Sequence, residues 1–191
     1  MNKALVHFKG TVRSAPYFVN LMAILIGIMF KNRVSLFYGL YSYGIDIFNH
    51  YLKMFFKKVI YGNTDYIPIL GYGRRPDGAK NCGIFIDEQN PNAKSTSFGM
   101  PSGHSNFATL CGVFWILYVL KNADLYQYTE LYKYFVVIFI ACLSLSILIS
   151  RYYLGCHTVQ QIVLGGLIGC FMGYLGFTIY NILSLTYDNI N

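Results

Sequence analysis

His157 and Gln161 stand four residues apart, a spacing that stacks two side chains on one face of a helix. A glutamine carbonyl placed there accepts from imidazole Nδ1 and leaves Nε2 as a nucleophile. Just before them, Ser150-Arg151 is joined to His157 by only Tyr152 to Cys156, so the arginine and the histidine must sit near one point. A guanidinium presents a fork of donors matched to phosphate oxygens, and a neutral histidine beside it can attack phosphorus.

A second group is Gly99-Met100-Pro101-Ser102-Gly103-His104-Ser105, where an irregular stretch turns into an apolar one. Ser102 is placed as the N-cap of the helix that follows. The amides and positive dipole end of a helix start bind anions, and Gly103 lets the backbone approach one closely. His104 then lies beside the bound group as a general acid.

Asp46, Asn49, His50, Lys53 and Lys57 fall at i, i+3, i+4, i+7 and i+11, a single polar stripe along a helix. Such groups within an apolar segment face protein or water. Lys53 lies deepest of the lysines and is the candidate phosphate ligand. Lys57 and Lys58 have two readings, as further ligands or as lysines reaching out to an interface.

These residues need a scaffold, and composition points to a membrane. The chain of 191 residues is 55% hydrophobic and only 12% charged, with a mean hydropathy of +0.42; soluble domains carry about twice that share of charge. Apolar stretches run over Ala15 to Phe30, Val34 to Phe56, Ser102 to Leu120, Tyr134 to Ser150 and Thr158 to Leu183. Each approaches the roughly 20 residues that cross hydrocarbon. The expectation is an all-α, polytopic transmembrane helix bundle of about five spans forming a single domain over 1–191. The first stretch is short and follows Pro16, so an interfacial or re-entrant segment is its alternative; its flank suits an uncleaved anchor better than a signal peptide.

Polar hinges between the stretches are short except from Tyr61 to Met100, a Gly-, Pro-, Asn- and Asp-rich segment long enough to be a functional loop. If the helices alternate in direction, Lys53 to Lys58, Pro101 to His104, Ser150-Arg151 and His157 to Gln161 share one membrane face with Arg74-Arg75-Pro76. One composite site follows from the spacing.

The net charge of +7 is spread over Lys53, Lys57, Lys58, Arg74, Arg75, Lys80, Lys94 and Arg151 at span ends and in that loop. This favours a local phosphate site over a nucleic-acid groove. Of five cysteines, Cys111, Cys142, Cys170 and Cys156 read as small buried hydrophobes, and Cys82 as a lone loop thiol outside any disulfide framework or zinc site. Gly165, Gly169 and Gly173 recur every fourth residue on the stripe of His157 and Gln161, the mark of close helix packing.

The motifs resemble those of the PAP2 (type 2 phosphatidic acid phosphatase) superfamily: Lys, a gap and Arg-Pro; Pro-Ser-Gly-His; and Ser-Arg, five residues, His, three residues and usually Asp. Pro101-Ser102-Gly103-His104 and Ser150-Arg151 with His157 fit closely, and the resemblance covers Asn49 to about Gly169. It implies a phosphatase without cofactor or metal, with His157 as nucleophile and His104 as acid. Lys53, Arg75, Ser102, Gly103 and Arg151 would then hold the phosphate. Gln161 takes the place of the family's Asp, and an insertion from about Val59 to Arg74 separates Lys53 from Arg75-Pro76. Lys57 or Lys58 could stand in for Lys53, and Arg74 for Arg75.

Gln161 and the run Ser150 to Thr158 are similar to dolichyldiphosphatases, which implies a polyprenyl diphosphate substrate and an endoplasmic reticulum membrane with the site facing the lumen. The partners implied are the lipid substrate and membrane lipids, with no obligate protein partner. The alternatives are a phosphatidate or sphingolipid phosphate phosphatase, and a catalytically silent lipid-phosphate binder.

Overall fold

The computed structural model describes residues 3–77, 79, 82, 97–125 and 127–188. Lys80 and Lys94, two of the basic loop residues, lie outside the described residues. Five long helices dominate: α1 (Lys3–Met29), α2 (Arg33–Phe55), α3 (Gly103–Asn122), α4 (Glu130–Tyr153) and α5 (Val159–Asp188). The all-α expectation holds. A π-helical turn, Phe56–Tyr61, extends α2, and two short antiparallel strands, β1 (Tyr66–Ile67) and β2 (Gly71–Tyr72), pair in the segment that sequence reading left irregular.

Among the described residues, three helices are long and apolar enough to cross a membrane: α3, α4 and α5. None of the most apolar window of α4 is buried, and its Leu131, Phe135, Ile138, Phe139, Leu145 and Ile149 face outward, as a helix bathed in lipid requires. The apolar part of α1 is the shorter Pro16–Met29. α2 falls short of that test because the polar stripe interrupts its apolar run, and part of that polarity turns inward. Ser42 and Asn49 are buried, Ser42 Oγ donates to Asn20 Oδ1 of α1 at 2.6 Å, and Asn106 Nδ2 of α3 donates to Asn49 Oδ1 at 3.3 Å. The expectation of about five spans is thus met by five helices, of which three have a span's composition.

Packing is centred on α3, which lies against α5 and α4, while α1 pairs with α2. The glycine stripe explains the closeness of α3 and α5. A Cβ on Gly165 would collide with the Ser102 carbonyl, and one on Gly169 with the Asn106 carbonyl and Thr109 Oγ1. One on Gly173 would come within 2.7 Å of the Leu110 carbonyl. An aromatic and aliphatic core of Ala23, Val34, Tyr38, Leu110 and Phe114 fills the opposite half of the bundle from Ser102. Leu110 to Phe114 are two to three helical turns along α3 from Gly103.

Two cysteine expectations are corrected. Cys82 and Cys156 form a disulfide, with their Cα atoms 5.7 Å apart across 74 residues of sequence. Spacing could not reveal it, because cysteine connectivity depends on which segments the fold brings together. Cys142 and Cys170 are exposed on the bundle's outer face, where lipid takes the place of a protein core; only Cys111 is half-buried.

Candidate active site

The chain reverses between α4 and α5 in a tight turn. Gly155 adopts φ +63°, a conformation that favours glycine, and the Cys156 N–H donates to the Arg151 carbonyl at 3.0 Å. The turn delivers Arg151, fully buried, and His157, 3% exposed, to one place. α5 then opens with a capping box. Thr158 Oγ1 accepts from the Gln161 N–H at 3.4 Å, and Gln161 Oε1 accepts from the Thr158 N–H at 3.3 Å.

The same Oε1 accepts from His157 Nδ1 at 2.9 Å. The orientation of this amide follows from its other end: Gln161 Nε2 lies 2.8 Å from the Tyr72 carbonyl and 2.7 Å from the Arg74 carbonyl, two acceptors that only an N–H₂ can serve. On the far side of the imidazole, Arg75 Nη1 lies 3.0 Å from His157 Nε2. A guanidinium has donors alone, so Nε2 carries the lone pair and Nδ1 the proton. Burial, with the charges of Arg75 and Lys53, holds His157 well below the ordinary histidine pKa, so the ring is neutral at physiological pH.

Arg75, not Arg74, occupies the site. Its Nη1 also donates to the Cys156 carbonyl at 3.0 Å, and its Nη2 to Ser97 Oγ at 2.8 Å. Burial brings the Arg75 pKa down to about 10, which leaves it charged. Arg74 turns outward to an exposed ion pair with Asp65 at 2.7 Å.

Lys53 is likewise separated from its neighbours. Its Nζ donates to the Phe98 carbonyl at 3.2 Å and it borders the site, whereas Lys57 and Lys58 are exposed on the π-helical turn.

Ser102 caps α3 as expected, its Oγ accepting from the Ser105 N–H at 3.4 Å and from Ser105 Oγ at 2.9 Å. Gly103 and His104 form the first turn of α3. A Cβ on Gly103 would come within 2.9 Å of Asn49 Nδ2, so glycine lets α2 and the α3 start approach.

One cavity of about 280 Å³ lies among these parts, but Ser102 and Arg151, both fully buried, do not line it. Lys53, Arg75, Gly103, His104 and His157 line one side, and Asp46, Asn49, His50 and Tyr17 continue it between α2 and α1. Its lining suits an anion: two cationic side chains, a neutral imidazole with a free Nε2 lone pair, and a second imidazole on the same cavity. The upper part of the polar stripe read from sequence, Asp46 to Lys53, lies along this wall; Lys57 lies beyond it.

A family model for the PAP2 superfamily matches residues 65–184, more than half of the chain. The chain belongs to the PAP2 superfamily. PAP2 membership makes it a phosphatase, a hydrolase acting on phosphate esters, and with three helices apolar enough to cross a bilayer it is a membrane protein. The PAP2 match takes in Arg75, Ser102, Gly103, His104, Arg151, His157 and Gln161 and begins after Lys53. No curated protein and no solved structure matches the chain.

The sequence does not single out three participants around this PAP2 site: two backbone carbonyls and one hydroxyl. The Tyr72 and Arg74 carbonyls that orient Gln161 come from the stretch read as an insertion, and backbone acceptors leave no trace in residue type. Ser97, which holds Arg75, could have been suspected only as one of many loop hydroxyls.

Proposed function

We propose that this phosphatase hydrolyses a polyprenyl diphosphate of the dolichyl type to the monophosphate and inorganic phosphate, with His157 as nucleophile. The observation that carries the reading is the neutral His157, its Nδ1 proton committed to Gln161 and its Nε2 facing an arginine donor in a cavity bordered by a second histidine. When a terminal phosphate enters, the Arg75 N–H turns from Nε2 to a phosphate oxygen, freeing the lone pair to attack phosphorus in line. Lys53 and the Gly103 amide, at the cavity wall, neutralise the remaining oxygens as charge builds, with Arg151 and the Ser102 cap acting from behind that wall.

The P–O bond to the inner phosphate breaks as the N–P bond forms, and His104 gives its proton to the departing oxygen. His104 then takes a proton from water, which attacks the phosphohistidine and releases inorganic phosphate. Gln161 holds the imidazole without adding charge, so the positive charge that develops on His157 is balanced by the phosphoryl oxygens alone.

The diphosphate is favoured over a monoester by similarity to dolichyldiphosphatases in the run Ser150 to Thr158 and at Gln161. A cavity of about 280 Å³ also gives room for more than a single phosphate. Beyond Lys53, His50 borders its continuation, where an inner phosphate would lie. We place the enzyme in the endoplasmic reticulum membrane with this face toward the lumen; a disulfide beside His157 suits an oxidising compartment.

The test is phosphate release by purified protein from polyprenyl diphosphate and from phosphatidate, with EDTA present and His157→Ala as control. Preference for the diphosphate, lost in the variant, supports the reading. Preference for phosphatidate moves the enzyme to the general lipid phosphatases, and no release from either leaves a silent lipid-phosphate binder.

A further inference from the structure

Two points on one loop end on the same residue. Arg75 Nη1 donates to the Cys156 carbonyl at 3.0 Å, and seven residues later Cys82 is bonded to Cys156 through sulfur. Cys156 is held from a third direction by α4: its N–H donates to the Arg151 carbonyl at 3.0 Å, and its Sγ accepts from Arg151 Nη2 at 3.4 Å. The next residue in the chain is His157.

We propose that the Cys82–Cys156 disulfide is a positioning element of the phosphate site, fixing the carbonyl that captures Arg75 and so holding the guanidinium on His157 Nε2. The proposal rests on the reading of His157 as the reacting group, and it gives the disulfide a part in chemistry as well as in folding. Both cysteines are buried, Cys82 at 3% and Cys156 at 0% exposure, and Cys82 meets solvent only where it borders the cavity, so the bond acts as a clamp.

Three donors of Arg75 are spent on the loop and the turn, through Ser97 and Cys156, and one of them is shared with His157. Without the bond, Cys156 keeps its contacts with Arg151, and its carbonyl can shift within the turn that Gly155 makes. Its carbonyl then leaves Arg75, and the shared contact with Nε2 goes with it. A staple that served stability alone would leave the relation of Arg75 to His157 unchanged whenever the protein was folded.

That difference can be read at the imidazole. The cations facing His157 are Arg75 from the loop, Lys53 from α2 and Arg151 from the end of α4; His104 of α3 and Asp46 and His50 of α2 border the same cavity. Withdrawal of Arg75 removes the nearest positive charge, which makes protonation of His157 easier.

The experiment compares the full chain in detergent with its Cys82→Ala/Cys156→Ala variant by nitrogen NMR of labelled histidine, His157 being assigned through His157→Gln. In the wild type, His157 is expected to carry its proton on Nδ1 and to stay neutral well below pH 6.5. In the variant its titration moves up toward the ordinary value of about 6.5, and phosphate release falls at least tenfold. Identical titration of His157 in the two proteins overturns the proposal, whatever happens to the rate.

If the double variant does not fold, Cys82→Ala alone removes the bond and keeps the Cys156 sulfur under Arg151, with the same two outcomes. The titration does not depend on turnover. Wild-type protein that releases no phosphate from any lipid phosphate would sink the catalytic reading and still let the clamp be judged.

Discussion

The Gln161 carbonyl accepts the Ser102 N–H at 3.1 Å, so the residue that orients His157 is bonded through its backbone to the cap of the helix that carries His104. The Gln161 side chain meanwhile reaches the Tyr72 and Arg74 carbonyls next to Arg75. Three segments distant in sequence therefore meet on one side chain and its peptide. The glutamine and the stretch before Arg75-Pro76 are coupled: the Tyr72 and Arg74 carbonyls are what an amide can bind and a carboxylate cannot.

Replacing Gln161 by glutamate keeps the reach and tests this directly. One carboxylate oxygen still accepts from His157 Nδ1, but the other faces two carbonyl oxygens where the amide donated. The variant should lose about 1–3 kcal/mol of stability, the range for unmaking buried hydrogen bonds, while a negative charge beside the ring raises the His157 pKa. Thermal unfolding in detergent measures the first, and the acid limb of the pH–rate profile the second. A Gln161→Glu protein as stable as wild type would show that the two carbonyls do not select for the amide.

Close approach of α5 to the α3 start makes Gly165 and Gly166 an informative pair. A Cβ on Gly165 meets the backbone of Ser102, with its nitrogen at 3.0 Å and its carbonyl closer still; on Gly166 the nearest atoms are Leu148 Cδ2 at 3.6 Å and Thr109 Cγ2 at 3.7 Å. Gly165→Ala should cost about 1–3 kcal/mol as an overpacked contact and weaken phosphate release by displacing Ser102 and His104. Gly166→Ala should be tolerated, with up to about 1 kcal/mol of helix propensity in its favour. Equal melting temperatures for the two variants would contradict the packing argument.

Much of the site was legible because its residue types are scarce in apolar sequence. Two histidines, Arg151 and the polar stripe of α2 stand out against a chain with 12% charged residues, and helical spacing alone placed Gln161 under His157. Helix periodicity and capping also set the start of α3 at Ser102. The loop was not legible in the same way. No period relates its side chains, so Arg74 and Arg75 were equivalent until the fold turned one outward to Asp65 and the other inward to His157. The Cys82–Cys156 bond depends on a meeting across 74 residues that composition does not encode. The polarity of α2, read as a stripe within a span, removes it from the helices with a span's composition, and the stripe from Asp46 to Lys53 is instead a wall of the cavity.

The two adjacent arginines give a sharp contrast in function. Arg75→Ala removes the donor on His157 Nε2 and a charge for phosphate, and hydrogen bonds to charged groups at about 1.5–3 kcal/mol each predict a loss in kcat/KM of tenfold to a hundredfold or more. Its acid limb should move to higher pH, since one of the charges that keeps His157 unprotonated is gone. Arg74→Ala breaks only an exposed pair whose side chains are 75% and 57% accessible. Such pairs contribute about 0–1 kcal/mol, so activity and melting temperature should stay near wild type. Comparable losses in the two variants would mean that Arg75 has no special relation to the nucleophile.

Burial of a neutral His157 also makes folding pH-dependent, with a definite sign. The folded-state pKa lies below the unfolded value of about 6.5, so above that pH neither state binds the proton and stability is unaffected. As pH falls below about 6.5, the unfolded chain takes up a proton that the folded site refuses. Stability then drops by up to about 1.4 kcal/mol per pH unit until the folded pKa is reached. His157→Gln has no proton to take up, and its melting temperature should fall less steeply over the same acid range. The measurement is unfolding temperature against pH for both proteins, in one detergent and at constant ionic strength. Parallel curves would mean that His157 is protonated in the folded state as readily as in the unfolded one, and would remove the ground for treating it as a neutral nucleophile.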